Sequence, residues 1–135
     1  MFGLEDKTVI ITGCGNSKGI GFAIAKAYAA EKANLVLVDI CPLETIGALA
    51  QPLLDAGAKR VLPYRCDVSD QQQVQAMVAA AHQEFGAIHI LINNAGVMRV
   101  SKFLETKAED LDLMYKVMVK GSFFCTIEAA KTMIA

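Results

Sequence analysis

One stretch of the chain collects the residue types that hold an anion through main-chain donors. It reads Val9-Ile10-Ile11-Thr12-Gly13-Cys14-Gly15-Asn16-Ser17-Lys18-Gly19-Ile20-Gly21-Phe22, between an apolar run and a stretch of helical character. Free amide N–H groups and the positive end of a helix dipole at such a junction favour a phosphate. Glycine suits it because a Cβ would hold a pyrophosphate off the backbone and obstruct helix-to-strand packing. Gly13 and Gly15 open a G-x-G-x-x-G frame, but Lys18 stands where its third glycine belongs. Gly15, Gly19 and Gly21 form a different frame, G-x-x-x-G-x-G. Taken alone, an ordinary turn explains these glycines equally well.

A second chemical group follows at an informative distance. Eighteen residues beyond Gly21, the run Leu37-Val38-Asp39 ends in a carboxylate, placed to accept hydrogen bonds from the hydroxyls of an adenosine ribose. On its own it reads as a solvated acid at a strand end. Asp39 would also repel a 2′-phosphate, since two anions in a partly desolvated site are costly, and so it argues for NAD over NADP. Lys18, taken by itself, reads as a solvated loop cation. The remaining titratable candidates carry less. His82 lies on a helix beside Gln83 and His89 at the entry to a strand, while Glu109, Asp110 and Asp112 fit the first turn of a helix, where acids suit the dipole. Cys14, Cys41, Cys66 and Cys125 are scattered, without metal-ligand spacing or a disulfide framework, and read as reduced packing thiols.

The elements that must position these groups are legible as a rhythm. Four short apolar runs, 7–12, 34–39, 60–66 and 88–93, lack a consistently polar face, as strands covered on both sides do. Helical stretches 19–32, 42–56 and 70–85 separate them. In the third, Val74, Met77, Val78, Ala81 and Phe85 form one stripe. Ser69 with Gln72, and Thr106 with Glu109, have capping-box spacing and predict the starts of that helix and of a last one running close to Ala135. Strand alternating with helix predicts a parallel sheet in a doubly wound α/β domain.

Composition bounds the function. The 135 residues carry 13 basic and 14 acidic side chains, a net charge of -1, and 54% are hydrophobic; the mean hydropathy is +0.39. Disorder is excluded, and nucleic acid is disfavoured as a partner because no basic block is present. The N-terminus has two acids and no long apolar core, and no run approaches the ~18 residues of a membrane span, so the expectation is a soluble cytoplasmic protein.

Three of these motifs together resemble the short-chain dehydrogenase/reductase family. Thr12-Gly13 followed by Gly19-Ile20-Gly21 is similar to its cofactor loop, Cys66-Asp67-Val68 to the acidic site after its third strand, and Asn93-Asn94-Ala95-Gly96 to its motif after the fourth. The resemblance runs from about Leu4 to Ala135. It implies a Rossmann-like sheet, incomplete at about four strands, in a single dinucleotide-binding domain over residues 1–135. It also implies that the loop residues Gly13, Gly15, Asn16, Ser17, Lys18, Gly19, Ile20 and Gly21 hold a pyrophosphate. Asp39 would then take the ribose diol, Asp67 and Val68 the adenine, and Asn94, Ala95 and Gly96 the neighbouring riboses and sheet. The family usually places three residues between Thr-Gly and Gly-x-Gly, whereas Cys14 to Lys18 make five. That leaves the first-glycine role open between Gly13 and Gly15.

The resemblance further implies hydride exchange between a nicotinamide and an alcohol or carbonyl, by a Ser and a Y-x-x-x-K pair after a fifth strand. A nearby ammonium lowers the phenol's pKa so that it can pass a proton. Those residues are expected beyond this chain, which would then be inactive alone. Tyr28-Ala29-Ala30-Glu31-Lys32 matches the pattern, but late on the first crossover helix, where chance explains it. Met118 stands where the family has an Asn, and a thioether cannot relay a proton. The alternatives are a non-catalytic dinucleotide-binding or assembly module, or a truncated product without a role of its own. The last helix is apolar nearly all round, which predicts burial. With the fourth strand as a sheet edge, it also predicts a homo-oligomer.

Overall fold

A computed structural model describes residues 2–135. Four parallel strands form one sheet: β1 (Thr8–Thr12), β2 (Asn34–Asp39), β3 (Arg60–Arg65) and β4 (Ile90–Ile92). Their order is β3-β2-β1-β4. In register, Thr8 pairs with Asn34 and Asn34 with Arg60, while Ile10 pairs with Leu91. The strands are the predicted ones, with β1 starting one residue later than expected and the outer two shorter.

Alternation along β1 and β2 divides the core between two faces. Val9, Ile11, Leu35 and Leu37 pack with α1 (Ile20–Ala30), α2 (Leu43–Gly47) and α3 (Ala50–Asp55) on one side. Ile10, Val36 and Val38 pack on the other with α4 (Gln71–Phe85) and the C-terminal helix. The α4 stripe is as expected, with Val74, Met77, Val78 and Ala81 buried. This is the doubly wound, Rossmann-like arrangement.

Several local expectations are corrected. The stretch 42–56 is two short helices rather than one, because Gly47 ends α2 and Pro52 could not extend it without losing a main-chain donor and clashing with a preceding carbonyl. The cap of α4 is Asp70, not Ser69: its carboxylate accepts from the N–H groups of Gln72 at 3.0 Å and Gln73 at 3.3 Å. Ser69 instead donates its hydroxyl to Asp67 Oδ1 at 2.7 Å. Thr106 caps nothing either; its hydroxyl donates to the Lys102 carbonyl at 3.3 Å, and α5 (Ala108–Met114) starts after Lys107 without a side-chain cap.

The last helix is also not uniform. A π-helical turn, Tyr115–Lys120, separates α5 from α6 (Gly121–Ile134). Nor is it buried all round: Gly121, Cys125, Glu128 and Ala129 face inward, while Phe123 is 65% and Leu111 55% exposed. The sequence criterion failed because it counts apolar side chains, and only one face of this helix has something to pack on here.

Candidate functional site

The site lies where the topology reverses direction, at the C-terminal ends of β1 and β4. In open α/β sheets, strands leaving such a point diverge and open a crevice. The Thr12 side chain, only 1% exposed, fixes the two strand ends to one another. Its hydroxyl oxygen accepts from the N–H groups of Asn94 at 3.1 Å and Ala95 at 3.0 Å, and donates to the Ile92 carbonyl at 3.4 Å. The Asn94 amide returns the connection, donating Nδ2–H to the carbonyls of Thr12 at 3.1 Å and Gly13 at 3.0 Å. Asn93 points elsewhere, donating to the Thr126 hydroxyl at 3.0 Å on α6.

Two glycines allow this close approach. Gly13 has φ +70°, and a Cβ there would stand 2.6 Å from Ala95 Cα. At Gly21 a Cβ would stand 2.6 Å from Asn94 Nδ2 and 2.8 Å from the Gly13 oxygen. The first strand, the first helix and the turn after β4 thus meet with no room for a side chain.

Beside this junction, Asp39 is held by main chain alone. Its Oδ2 accepts from Gly15 N–H at 2.7 Å, and its Oδ1 from Ile40 N–H at 2.7 Å and Cys41 N–H at 3.2 Å. A Cβ on Gly15 would stand 2.8 Å from the carboxylate carbon, so that glycine serves the acid. Gly13 and Gly15 therefore divide the first-glycine role: one supplies the turn and the other seats Asp39.

The longer loop between them folds on itself. Asn16 accepts through its carbonyl from Gly19 N–H at 2.9 Å and through Oδ1 from Lys18 N–H at 2.9 Å. Helix α1 begins at Gly19 without a side-chain cap, and no partner takes the N–H groups of Ile20, Gly21 and Phe22 among the described residues. First-turn donors of a helix need outside partners, and a phosphate is a suitable one. The Lys18 side chain is exposed and in no ion pair among the described residues.

A cleft of about 190 Å³ runs along these strand ends. Of the residues singled out in the sequence, Gly13, Asp39, Asp67, Val68, Asn94, Ala95 and Gly96 line it. Gly15 touches it through Asp39, whereas Asn16, Ser17, Lys18, Gly19, Ile20 and Gly21 lie outside its lining, in the loop and first turn. Asp67 is oriented by Ser69, whose N–H donates to Oδ1 at 3.0 Å, and Gln73 Oε1 accepts from its N–H at 2.9 Å.

Ile40, Cys66, Val97 and Val117 line the cleft as well, unmarked in the sequence as ligand contacts. Val117 reaches it from the π turn, which also brings Met118 to about 4 Å from where a Gly96 side chain would begin. The three buried thiols are poor nucleophiles. Burial pushes Cys66 and Cys14 each up to about 12 and Cys125 up to about 11. Cys41 is raised by burial and then by the Asp39 charge. His82 and His89 are far from the cleft's lining; His89 Nδ1 accepts from Thr8 N–H at 3.0 Å at the opposite end of β1. Tyr28 packs against the α1-side core, and Lys32 lies past the end of that helix.

This geometry suits a dinucleotide: a side-chain-free cradle, uncapped helix donors, a fixed carboxylate and a cleft lie at the same end of the sheet. The family model for short chain dehydrogenases matches residues 7–135. Oxidoreductase UcpA of Salmonella typhimurium is 41% identical over 131 residues, 97% of this chain and 48% of that protein. D-threitol dehydrogenase of Mycolicibacterium smegmatis is 37% identical over 133 residues, 98% of this chain and 50% of that protein. Among solved structures, a short chain dehydrogenase/reductase from Burkholderia phymatum in complex with NAD superposes with a TM-score of 0.88 at 36% identity, covering 98% of this chain and 46% of that one. The chain spans about half the length of the curated relatives it matches, and no helix among the described residues is long and apolar enough to cross a membrane. With more than nine-tenths of its residues inside the family match, the chain belongs to the short-chain dehydrogenase/reductase family.

Proposed function

We propose that residues 1–135 are the dinucleotide-binding unit of an oxidoreductase that moves hydride between a nicotinamide and an alcohol or carbonyl, with NAD as the preferred cofactor. The observation that carries this is Asp39, fixed by three main-chain donors at the rim of the cleft. Asp and Glu carboxylates have about four acceptor sites, so one remains for a ribose hydroxyl. In this reading Ser17, Ile20 and Gly21 face the pyrophosphate, with Gly15, Asn16, Lys18 and Gly19 shaping the loop. Asp67 and Val68 meet the adenine, and Asn94, Ala95 and Gly96 close over the nearer riboses.

Turnover in this reading needs the Ser, Tyr and Lys of a following segment, supplied by a longer parent or another chain. Titrating the chain with NADH and following its fluorescence tests the first half: saturable enhancement is expected, and a flat response refutes it. A panel of alcohols with NAD and ketones with NADH tests the second, with no turnover expected from this chain.

Self-association is part of the same proposal. Leu111, Tyr115, Val119, Phe123 and Ile127 are exposed along the C-terminal helix, and β4 is paired on one side only, with β1. Apolar surface of this kind and an open strand edge both favour association. Sedimentation is expected to give a dimer or larger species, and a monomer that binds no apolar dye counts against it.

A further inference from the structure

The loop that leads into α1 holds an asparagine in surroundings unlike those of the other three. Residues 16–19 form a tight turn, closed by Gly19 N–H donating to the Asn16 carbonyl at 2.9 Å. Neither Ser17 nor Lys18 has a positive φ, as in a type I turn. The Asn16 side chain is exposed, and its Oδ1 accepts from Lys18 N–H at 2.9 Å. Its Nδ2, and the Ser17 N–H that follows it in the chain, have no partner among the described residues. A side-chain amide carbon thus stands beside a free main-chain nitrogen, with its oxygen already facing a donor.

Asn34, Asn93 and Asn94 lack that combination. The residue after Asn34, Leu35, lies in β2, which is paired on both sides. After Asn93 and Asn94, the N–H groups of Asn94 and Ala95 both donate to the Thr12 hydroxyl. Each of the three also commits its own Nδ2: Asn34 to the Asp6 carbonyl, Asn93 to the Thr126 hydroxyl, Asn94 to the carbonyls of Thr12 and Gly13. Attacking nitrogen and leaving group are tied down there, and both are free at Asn16.

We propose that Asn16 is a self-modification site whose deamidation weakens the loop's hold on a dinucleotide. The Ser17 nitrogen gives up its proton to solvent and bonds to Asn16 Cγ, closing a five-membered ring. The Cγ–Nδ2 bond breaks and the nitrogen leaves as ammonia, taking its extra proton from water. Water then opens the resulting imide at either carbonyl, giving an aspartyl or an isoaspartyl residue, so that one water is consumed and one ammonia released without any redox change. Negative charge gathers on Oδ1 as the ring closes, where Lys18 N–H already points and the positive end of α1 lies near. The residue sits against the start of that helix: a Cβ on Gly19 would stand 3.2 Å from the Asn16 main-chain oxygen and 3.5 Å from its Cβ. A carboxylate there repels a diphosphate approaching the free N–H groups of Ile20, Gly21 and Phe22, and the isoaspartyl form adds a backbone carbon to the turn. The chemistry at Asn16 stands by itself, while its consequence for binding rests on the dinucleotide reading above.

The test follows the full chain through prolonged incubation in mildly alkaline buffer, with peptide mass spectrometry and NADH titration at intervals. Trypsin releases Asn16 in peptide 8–18, which contains no other asparagine. Asn16 is expected to gain about 1 Da at least about tenfold faster than Asn34, Asn93 or Asn94. NADH affinity is expected to fall about tenfold as conversion completes, and Asn16→Asp to show a loss of the same order from the outset. Ser17→Pro removes the attacking N–H at a turn position that proline favours, and that N–H bonds to nothing in the folded chain. Its peptide is expected to keep its mass, and its NADH affinity to hold at the starting value throughout. If Asn16 converts no faster than the other three, or as fast in Ser17→Pro, the modification is wrong. If Asn16 converts and the fresh chain binds NADH, but the aged chain binds it equally well, the effect on the loop is wrong. If the fresh parent binds no NADH, the dinucleotide reading fails and the effect on binding with it, while the masses still decide the chemistry at Asn16.

Discussion

Replacing Thr12 by Val removes one hydroxyl and almost no volume. The side chain is 1% exposed, and the branched shape is kept, so the cavity cost that accompanies most core changes is absent. What is lost is the acceptor for Asn94 and Ala95 N–H and the donor to Ile92. The 3.4 Å bond to Ile92 is long and contributes little. The other two are well formed and partly buried. Leaving each N–H without its acceptor costs about 1–1.5 kcal/mol once partial access to water is allowed for, or about 2–3 kcal/mol together. That is a large share of the roughly 5–15 kcal/mol that holds a domain folded. With a urea slope of about 2 kcal/mol/M, the denaturation midpoint should fall by about 1–1.5 M. Thr12→Ser keeps the hydroxyl and gives up one methyl, so it should cost only about 1 kcal/mol. Equilibrium urea unfolding of all three proteins, followed by circular dichroism, decides the matter. A Val variant within about 0.2 M of the parent, or a Ser variant as damaged as Val, would show that the hydroxyl does not join the strand ends.

Other outcomes follow from the same contacts. Gly21→Ala sets a methyl carbon against the Gly13 carbonyl and Asn94 amide; it should abolish NADH binding and lower the urea midpoint, whereas Gly47→Ala, whose methyl would meet nothing within 4 Å, should leave binding unchanged. Asp39→Asn should weaken NADH by about tenfold, because an amide offers one acceptor oxygen in place of two; an unchanged Kd excludes the ribose contact. The buried thiols have pKa values pushed up to about 12, 12 and 11 for Cys14, Cys66 and Cys125. A raised value means that the unfolded chain releases these protons first. Stability should therefore be full below about pH 9 and fall as pH climbs toward 11–12, which a urea series across that range would reveal. At pH 8 a thiol reagent should modify Cys41 well before the other three, which react only on unfolding; early loss of Cys14 or Cys125 contradicts their burial.

Much of this protein was written locally. The apolar runs at 34–39 and 60–66 read as strands, and the stripe from Val74 to Phe85 as a helix lying on the sheet. The glycines near Thr12 marked the site because close backbone approach leaves a compositional trace, whereas the turn Asn93 to Gly96 stood out only through its resemblance to a family motif. Such features depend on side chains a few positions apart, so periodicity and spacing expose them.

Tertiary structure decided the rest. Ser69 has the capping-box spacing before α4, yet the path of the chain past Asp67 takes its hydroxyl and leaves the cap to Asp70. Nothing near Thr12 announces that its hydroxyl will serve residues 82 and 83 positions away. Nor does Arg65 carry any mark of its place beside Asp39, which comes from the β2–β3 register. The exposed face of the last helix belongs to the same class, since burial needs a neighbour as well as an apolar side chain. Periodicity is a property of the segment, whereas hydrogen-bond partners and charge neighbours depend on which segments the sheet lays side by side.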